Sequence, residues 1–187
     1  MIQKIFHNKL FTFVFVLVMY LLIHSTNNYL TEFLYLLPGA HLVNIPSGFK
    51  LLFVLIAGWV GALGIGFAAL IAALLYSFPG QYVLGLELAI VNGVAPSLAI
   101  RLLVQHVSMN ENLIGISSKQ LLVLGLVYSF LNSGLHQAVL YWNGVSQNFL
   151  DGFLVSFIGD ITGAYIVFLL LKLFSKKFVK VDESETG

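Results

Sequence analysis

The sequence predicts an all-α membrane protein, a polytopic bundle of six transmembrane helices with both termini cytoplasmic. The 187-residue chain is 59% hydrophobic and only 9% charged, whereas soluble domains carry about a quarter of their residues as charges. Long uncharged runs also recur along it, and a helix needs about 20 apolar residues to cross a bilayer. We expect one membrane domain, residues 1–175, and a charged cytoplasmic tail, residues 176–187.

Composition also excludes several classes of function. The chain has no cysteine, so disulfides and thiolate metal sites are excluded. Nine Lys and Arg against eight Asp and Glu give a net charge of +1, without the basic excess that nucleic-acid binding requires. The five histidines lack metal-ligand spacing. We therefore expect no enzymatic activity, no cofactor, no metal and no nucleic-acid partner.

The first half of the chain contains one clear span and one ambiguous run. Leu10 to Ile23 follows Lys4 and Lys9 and predicts the first crossing. Tyr29 to Leu37 is apolar but too short to cross, so it predicts an interfacial or re-entrant helical turn. Residues 49–78 would make a helix of about 45 Å, longer than the hydrocarbon core. We expect a tight reversal near Gly58 to Gly61 to divide this run in two.

Three further spans are predicted over Val83 to Val104, Gln120 to Trp142 and Phe149 to Phe174. Short loops that carry Lys and Arg remain in the cytoplasm. Cations flank both ends of the chain, so the number of crossings must be even, and six satisfies this condition. The lipid bilayer is then the first partner, and the predicted location is the bacterial inner membrane.

Polar residues within the spans are candidate site residues, because an ionisable group in the membrane interior is costly unless it is paired or faces a cavity. At about 1.5 Å per helical residue, Asn92, Asn132 and Asp160 lie near mid-membrane and no cation is expected at their depth. The predicted ligand-binding or intramembrane polar cluster is Glu87, Asn92, Asn132, His136 and Asp160. Interhelical hydrogen bonding without a ligand is the alternative role for these residues.

Three glycine-containing motifs lie between Pro46 and Leu171. They are Pro46-Ser47-Gly48 with the Gly58-Trp59-Val60-Gly61-Ala62 turn, Asn92-Gly93 leading to Arg101, and Gly159-Asp160-Ile161-Thr162-Gly163. Together they resemble the membrane-associated sensor domains of the MASE type, found in bacterial diguanylate cyclases, phosphodiesterases and histidine kinases. The resemblance implies a stand-alone sensory or ligand-binding module. Its expected partners are a membrane protein, namely a kinase, cyclase or transporter component, and a small-molecule ligand.

Two other functions stay open at this stage. Six helices and a glycine-rich reversal are similar to the substrate-capturing subunits of energy-coupling-factor transporters. In that case the stripe of Ala68, Ala69, Ala72 and Ala73 would serve helix packing. A structural component of a membrane assembly would need no cavity at all.

Overall fold

A computed structural model describes residues 8–37, 40–106 and 117–184. The main elements are α1 (Lys9–Leu30), α2 (Ile45–Ala72), α3 (Tyr82–His106), α4 (Ser118–Trp142) and α5 (Phe149–Ser184). A short hairpin, β1 (Tyr35–Leu37) and β2 (Ala40–His41), joins α1 to α2, and a π-helical turn, Ala73–Ser77, extends α2.

The prediction of a helical membrane protein is confirmed at this level. Five helices are long and apolar enough to cross a membrane, with α2 and its π-helical turn counted as one, Ile45–Ser77. Large apolar side chains on all of them are exposed, for example Leu10, Phe67, Leu86, Phe130 and Leu154. A soluble monomer does not expose apolar surface on this scale, so lipid is the natural solvent for these faces.

The connection between α1 and α2 differs from the prediction. Asn8 caps the start of α1 through its side chain, and the helix continues to Leu30 rather than ending at Ile23. Thr31 then ends it and donates its hydroxyl to the Asn27 carbonyl. The predicted helical turn is limited to a 3-10 turn (Glu32–Leu34), and the antiparallel hairpin follows it.

The backbone of α2 breaks at Gly58, which has φ 56° and ψ −136°. This conformation favours glycine, because a Cβ would clash with the adjacent peptide. The break separates arm α2a, residues 45–57, from arm α2b, residues 59–77. Gly61 then lies directly beside the backbone of Phe53. The chain therefore folds back at the first glycine of the predicted reversal.

The two arms pack along each other beyond this turn. Val54 on α2a and Ile65 on α2b belong to one buried cluster, together with Val16 and Tyr20 of α1. Farther from the turn, Lys50 and Ala72 line the same cavity. In a straight helix these two residues would be about 33 Å apart, so the fold-back brings opposite ends of the apolar run together.

Charged side chains that are not buried distinguish the two ends of the bundle. The Lys9 ammonium lies 5.4 Å from the centre of the Trp59 ring, next to the Gly58 turn, and Trp59 and Arg101 line one groove. We call this the basic end. At the other end Glu87 accepts a hydrogen bond from Asn143, and we call it the acidic end. The backbone of α5 remains helical to Ser184, through most of the predicted tail.

Replacing Gly58 by Ala should destabilise the protein by about 1–3 kcal/mol, because the required φ and ψ are strained for any residue with a Cβ. The built Cβ has no neighbour within 4 Å, so the cost would be conformational rather than steric. Gly134→Ala is the matched control, because its Cβ would lie 3.8 Å from Phe153 in ordinary contact. Thermal unfolding in detergent measures both. Equal melting temperatures for the two variants would contradict the strained turn.

Candidate functional site: a polar cavity beneath a re-entrant hairpin

The segment between β2 and α2 enters the bundle and contacts the middle of α5. The Asn44 N–H donates to the carbonyl of Gly159 at 3.0 Å, eleven residues into α5. The His41 carbonyl lies against Gly159 and the Asn44 carbonyl against Gly163, so closely that no Cβ would fit at either glycine. Non-helical backbone is stable at this depth only when protein or a cavity satisfies it. The glycines of the third motif provide that contact.

Asn27 of α1 holds the other side of this segment. Its side-chain carbonyl accepts from the N–H of Ile45 at 3.1 Å, and its amide donates to the carbonyl of Val43. The N–H of Ile45 is one of the groups that a helix start leaves without an internal partner. Asn27 therefore caps α2a from a neighbouring helix, while the side chain of Asn44 is directed elsewhere.

Asp160 joins three parts of the fold through its carboxylate, which is 1% exposed. One oxygen accepts from the Asn44 amide at 2.7 Å and from the Ser47 hydroxyl. The other accepts from Asn132 at 2.7 Å and from Ser133 at 3.0 Å. Two of these donors belong to the start of α2a and two to α4. We call this arrangement the Asp160 clamp.

A cavity of about 580 Å3 lies next to the clamp, between α1, α2 and the hairpin on one side and α3 to α5 on the other. Its exposed lining residues, Tyr29, Glu32, Tyr76 and Ser77, mark a mouth near the acidic end. Its buried lining residues include Lys50, Asn92, Asn132 and Asp160. Ala69, Ala72 and Ala73 form part of the wall. The cavity therefore connects one end of the bundle with its polar interior.

Lys50 is the cation at the base of the cavity and is only 3% exposed. Its ammonium lies 5.9 Å from the centre of the Tyr20 ring, and that ring stacks on His24. Within residues 8–37, 40–106 and 117–184, no carboxylate forms an ion pair with Lys50. Asp160 is near enough to act on it electrostatically without direct contact.

Histidines occur at three places in the cavity wall. His24 bonds with the Asn28 amide at 3.2 Å, and His136 reaches the cavity from α4. His41 lies in the hairpin, outside the spans. Burial lowers the pKa of His41, and a hydrogen bond with the Thr31 backbone partly opposes this effect.

Four of the five residues that the sequence selected lie at this site. Asn132 and Asp160 are hydrogen bonded, and Asn92 and His136 line the cavity. Asn92 donates its amide to the Leu88 carbonyl at 2.7 Å. Glu87 is separate, because it bonds with Asn143 near the acidic end. It was selected as an ionisable residue within a predicted span, which does not determine the direction in which a side chain points.

The expectation that no cation lies near Asp160 is wrong, because Lys50 does. Lys50 is the one charged residue of the run over residues 49–78, and no pattern in the sequence selected it as a site residue. The hairpin carries the start of α2a into the bundle. Ser47, Ser133 and Asn44 were also missed, because serine and asparagine in apolar sequence give little signal by themselves. Pro46-Ser47-Gly48 was selected only as a motif.

Comparison of the chain with protein-family models, with curated proteins and with solved structures finds no match. The residues and their geometry are therefore the basis for the functional assignment below.

Asp160→Asn should lower the unfolding free energy by at least about 3 kcal/mol, because an amide cannot accept all four donors of the clamp. Asp151→Asn is the matched control on the same helix, since Asp151 is exposed and bonds only with neighbouring Asn148 among the described residues. Thermal unfolding in detergent compares the two. A melting temperature for Asp160→Asn equal to that of the control would show that the carboxylate does not hold the three parts together.

Proposed function

We propose that this protein is a ligand-binding membrane module that takes up a small molecule from the acidic end and transmits its presence to another membrane protein. The cavity of about 580 Å3 with a buried polar base carries this proposal. Its volume falls within the range of about 300–1,000 Å3 of small-molecule sites. Both apolar and polar groups line it, so it suits a molecule with a polar end and an apolar body.

A purely structural role explains the buried polar groups less well. Interhelical hydrogen bonds account for the Asp160 clamp, which is fully paired. They do not account for Lys50 or for the side-chain carbonyl of Asn132, which has no hydrogen-bond partner within the described part of the chain. Buried polar groups in proteins are normally satisfied. Lys50 lines the cavity, so a ligand there is the partner that we propose for its ammonium.

The arrangement also supplies a route for a signal. The hairpin, α1, α2a and α4 all contribute side chains to the cavity, and the Asp160 clamp joins α2a and α4 to α5. The backbone of α5 continues as a helix from the clamp to Ser184 at the basic end. A ligand that changes the packing at the clamp would therefore act on α5. This mode of action agrees with the resemblance to MASE-type sensor domains.

The substrate-binding subunit of a transporter is the second candidate, since it would use the same cavity. The alanine stripe that this resemblance emphasised is buried against α1 and the cavity rather than exposed for a coupling subunit. Ala68 is inaccessible and Ala72 is 4% exposed. These small residues create space within the bundle, which favours the sensory module.

For the orientation we propose six crossings of the bacterial inner membrane, with both termini in the cytoplasm. The basic end carries Lys9 and Arg101, and cations prefer the cytoplasmic side. Trp59 at this end and Tyr141 and Trp142 at the other are exposed, as interfacial aromatic residues are. The cavity would then open to the periplasm.

Cysteine labelling tests the orientation, because the natural chain has no cysteine. An impermeant maleimide should label Asn143→Cys in intact spheroplasts. It should label Lys9→Cys and Lys119→Cys only after the membrane is opened. If α2 crossed once, Lys9 and Lys119 would lie on opposite sides, and one of these two variants would react in intact spheroplasts.

Ligand retention tests the function. Protein purified in mild detergent should carry a small molecule that native mass spectrometry detects. Ala72→Leu should release it, because the larger side chain fills the cavity wall. Ala138→Leu is the matched control, since Ala138 is exposed on α4. Equal retention by the two variants, or no bound molecule in the natural protein, would contradict a ligand-binding cavity.

A further inference from the structure

Lys50 has an unusual environment for a buried lysine. It is 3% exposed and lines the cavity, and among the described residues its ammonium contacts the Tyr20 ring. Transferring an ammonium group out of water is costly unless a paired anion compensates. Across the described ranges no such anion bonds with it. A charge retained in this way has a function that an apolar residue could not provide.

Asp160 is near enough to offset part of the Lys50 charge electrostatically, but it does not supply a hydrogen-bonding partner. A carboxylate has two oxygens with about four lone-pair sites in total. Each Asp160 oxygen already accepts two hydrogen bonds, from Asn44 and Ser47 on one side and from Asn132 and Ser133 on the other. The acceptor capacity of Asp160 is therefore used within the fold. The ammonium of Lys50 remains available to a molecule in the cavity.

We propose that Lys50 binds the carboxylate of a small organic acid, which makes a monocarboxylate with an apolar body the ligand class of this cavity. This inference rests on the proposed ligand-binding function. Because Asp160 already offsets part of the ammonium charge, the site favours a ligand with one negative charge over a phosphate monoester, which carries nearly two. The cavity offers no second buried Lys or Arg among its described lining residues.

The rest of the cavity fits the body of such an acid. The alanine wall of α2b, together with Leu88 and Phe78, gives an apolar surface between Lys50 and the mouth. Glu32 lies at the mouth and would repel a second carboxylate at the far end of the molecule. A dicarboxylate is therefore disfavoured at the mouth, while an aromatic or medium-chain monocarboxylate is compatible with both ends of the cavity.

Matched probes test the ligand class on the full-length protein in detergent at constant pH. Benzoate and hexanoate should raise its melting temperature, whereas benzamide and hexanamide, which have nearly the same shape but no charge, should not. Lys50→Met should weaken carboxylate binding at least about 30-fold, the scale for removing one member of a buried charge pair. Lys50→Arg should retain binding. The exposed Lys119→Met is the control and should behave as the natural protein.

The stability of Lys50→Met without added ligand distinguishes a binding role from a structural one. If Lys50 serves the ligand, removing the unpaired charge should leave the melting temperature unchanged or raise it. A large fall in melting temperature with the carboxylate response intact would overturn the proposal. So would a natural protein that responds equally to acids and amides, or to neither.

Different results would contradict the ligand class and the proposed function. A neutral or cationic molecule that is retained by the natural protein and lost from Ala72→Leu would leave the ligand-binding function standing and overturn the carboxylate assignment. Absence of any retained molecule would remove the function and, with it, the role of Lys50.

Discussion

The four hydrogen bonds to Asp160 are the interaction on which the rest of this structure depends. They join the start of α2a to α4 and α5 within an apolar bundle. In such surroundings a carboxylate is stable only when its oxygens are satisfied. The position of the hairpin and the depth of Lys50 both follow from this requirement, since the clamp brings the non-helical segment before α2 into the interior.

The clamp also adjoins the cavity. It holds the start of α2a against α5, and the small residues of α2b line part of the open space. The buried Lys50 ammonium thus lies near the Asp160 carboxylate, whose oxygens already accept four hydrogen bonds. Under the proposed function, Asp160 positions the helices and Lys50 recognises the ligand. The structural and the ligand-binding roles then belong to different residues of the same cavity.

Part of this site could be predicted from the sequence, because the spacing of residues along a helix is fixed. Counting residues along a helix gives their depth in the membrane, so Asn132 and Asp160 were expected at the same depth. The two side chains are hydrogen bonded. Glu87 was selected as an ionisable residue within a predicted span. It bonds near the acidic end, because the presence of a residue in a span does not determine which neighbours its side chain meets. Lys50 was missed because its depth depends on how the preceding hairpin enters the bundle, and no local pattern encodes that path.

The sequence by itself determined that the chain is helical and membrane-embedded, since apolar run length and charge content depend on composition alone. It also indicated the turn near Gly58, because a run too long for the bilayer and rich in glycine must break. Only the tertiary structure decided which polar groups meet. That choice depends on contacts between residues more than 100 positions apart, such as Ser47 with Asp160. Such contacts arise from how the helices pack rather than from any property of one segment.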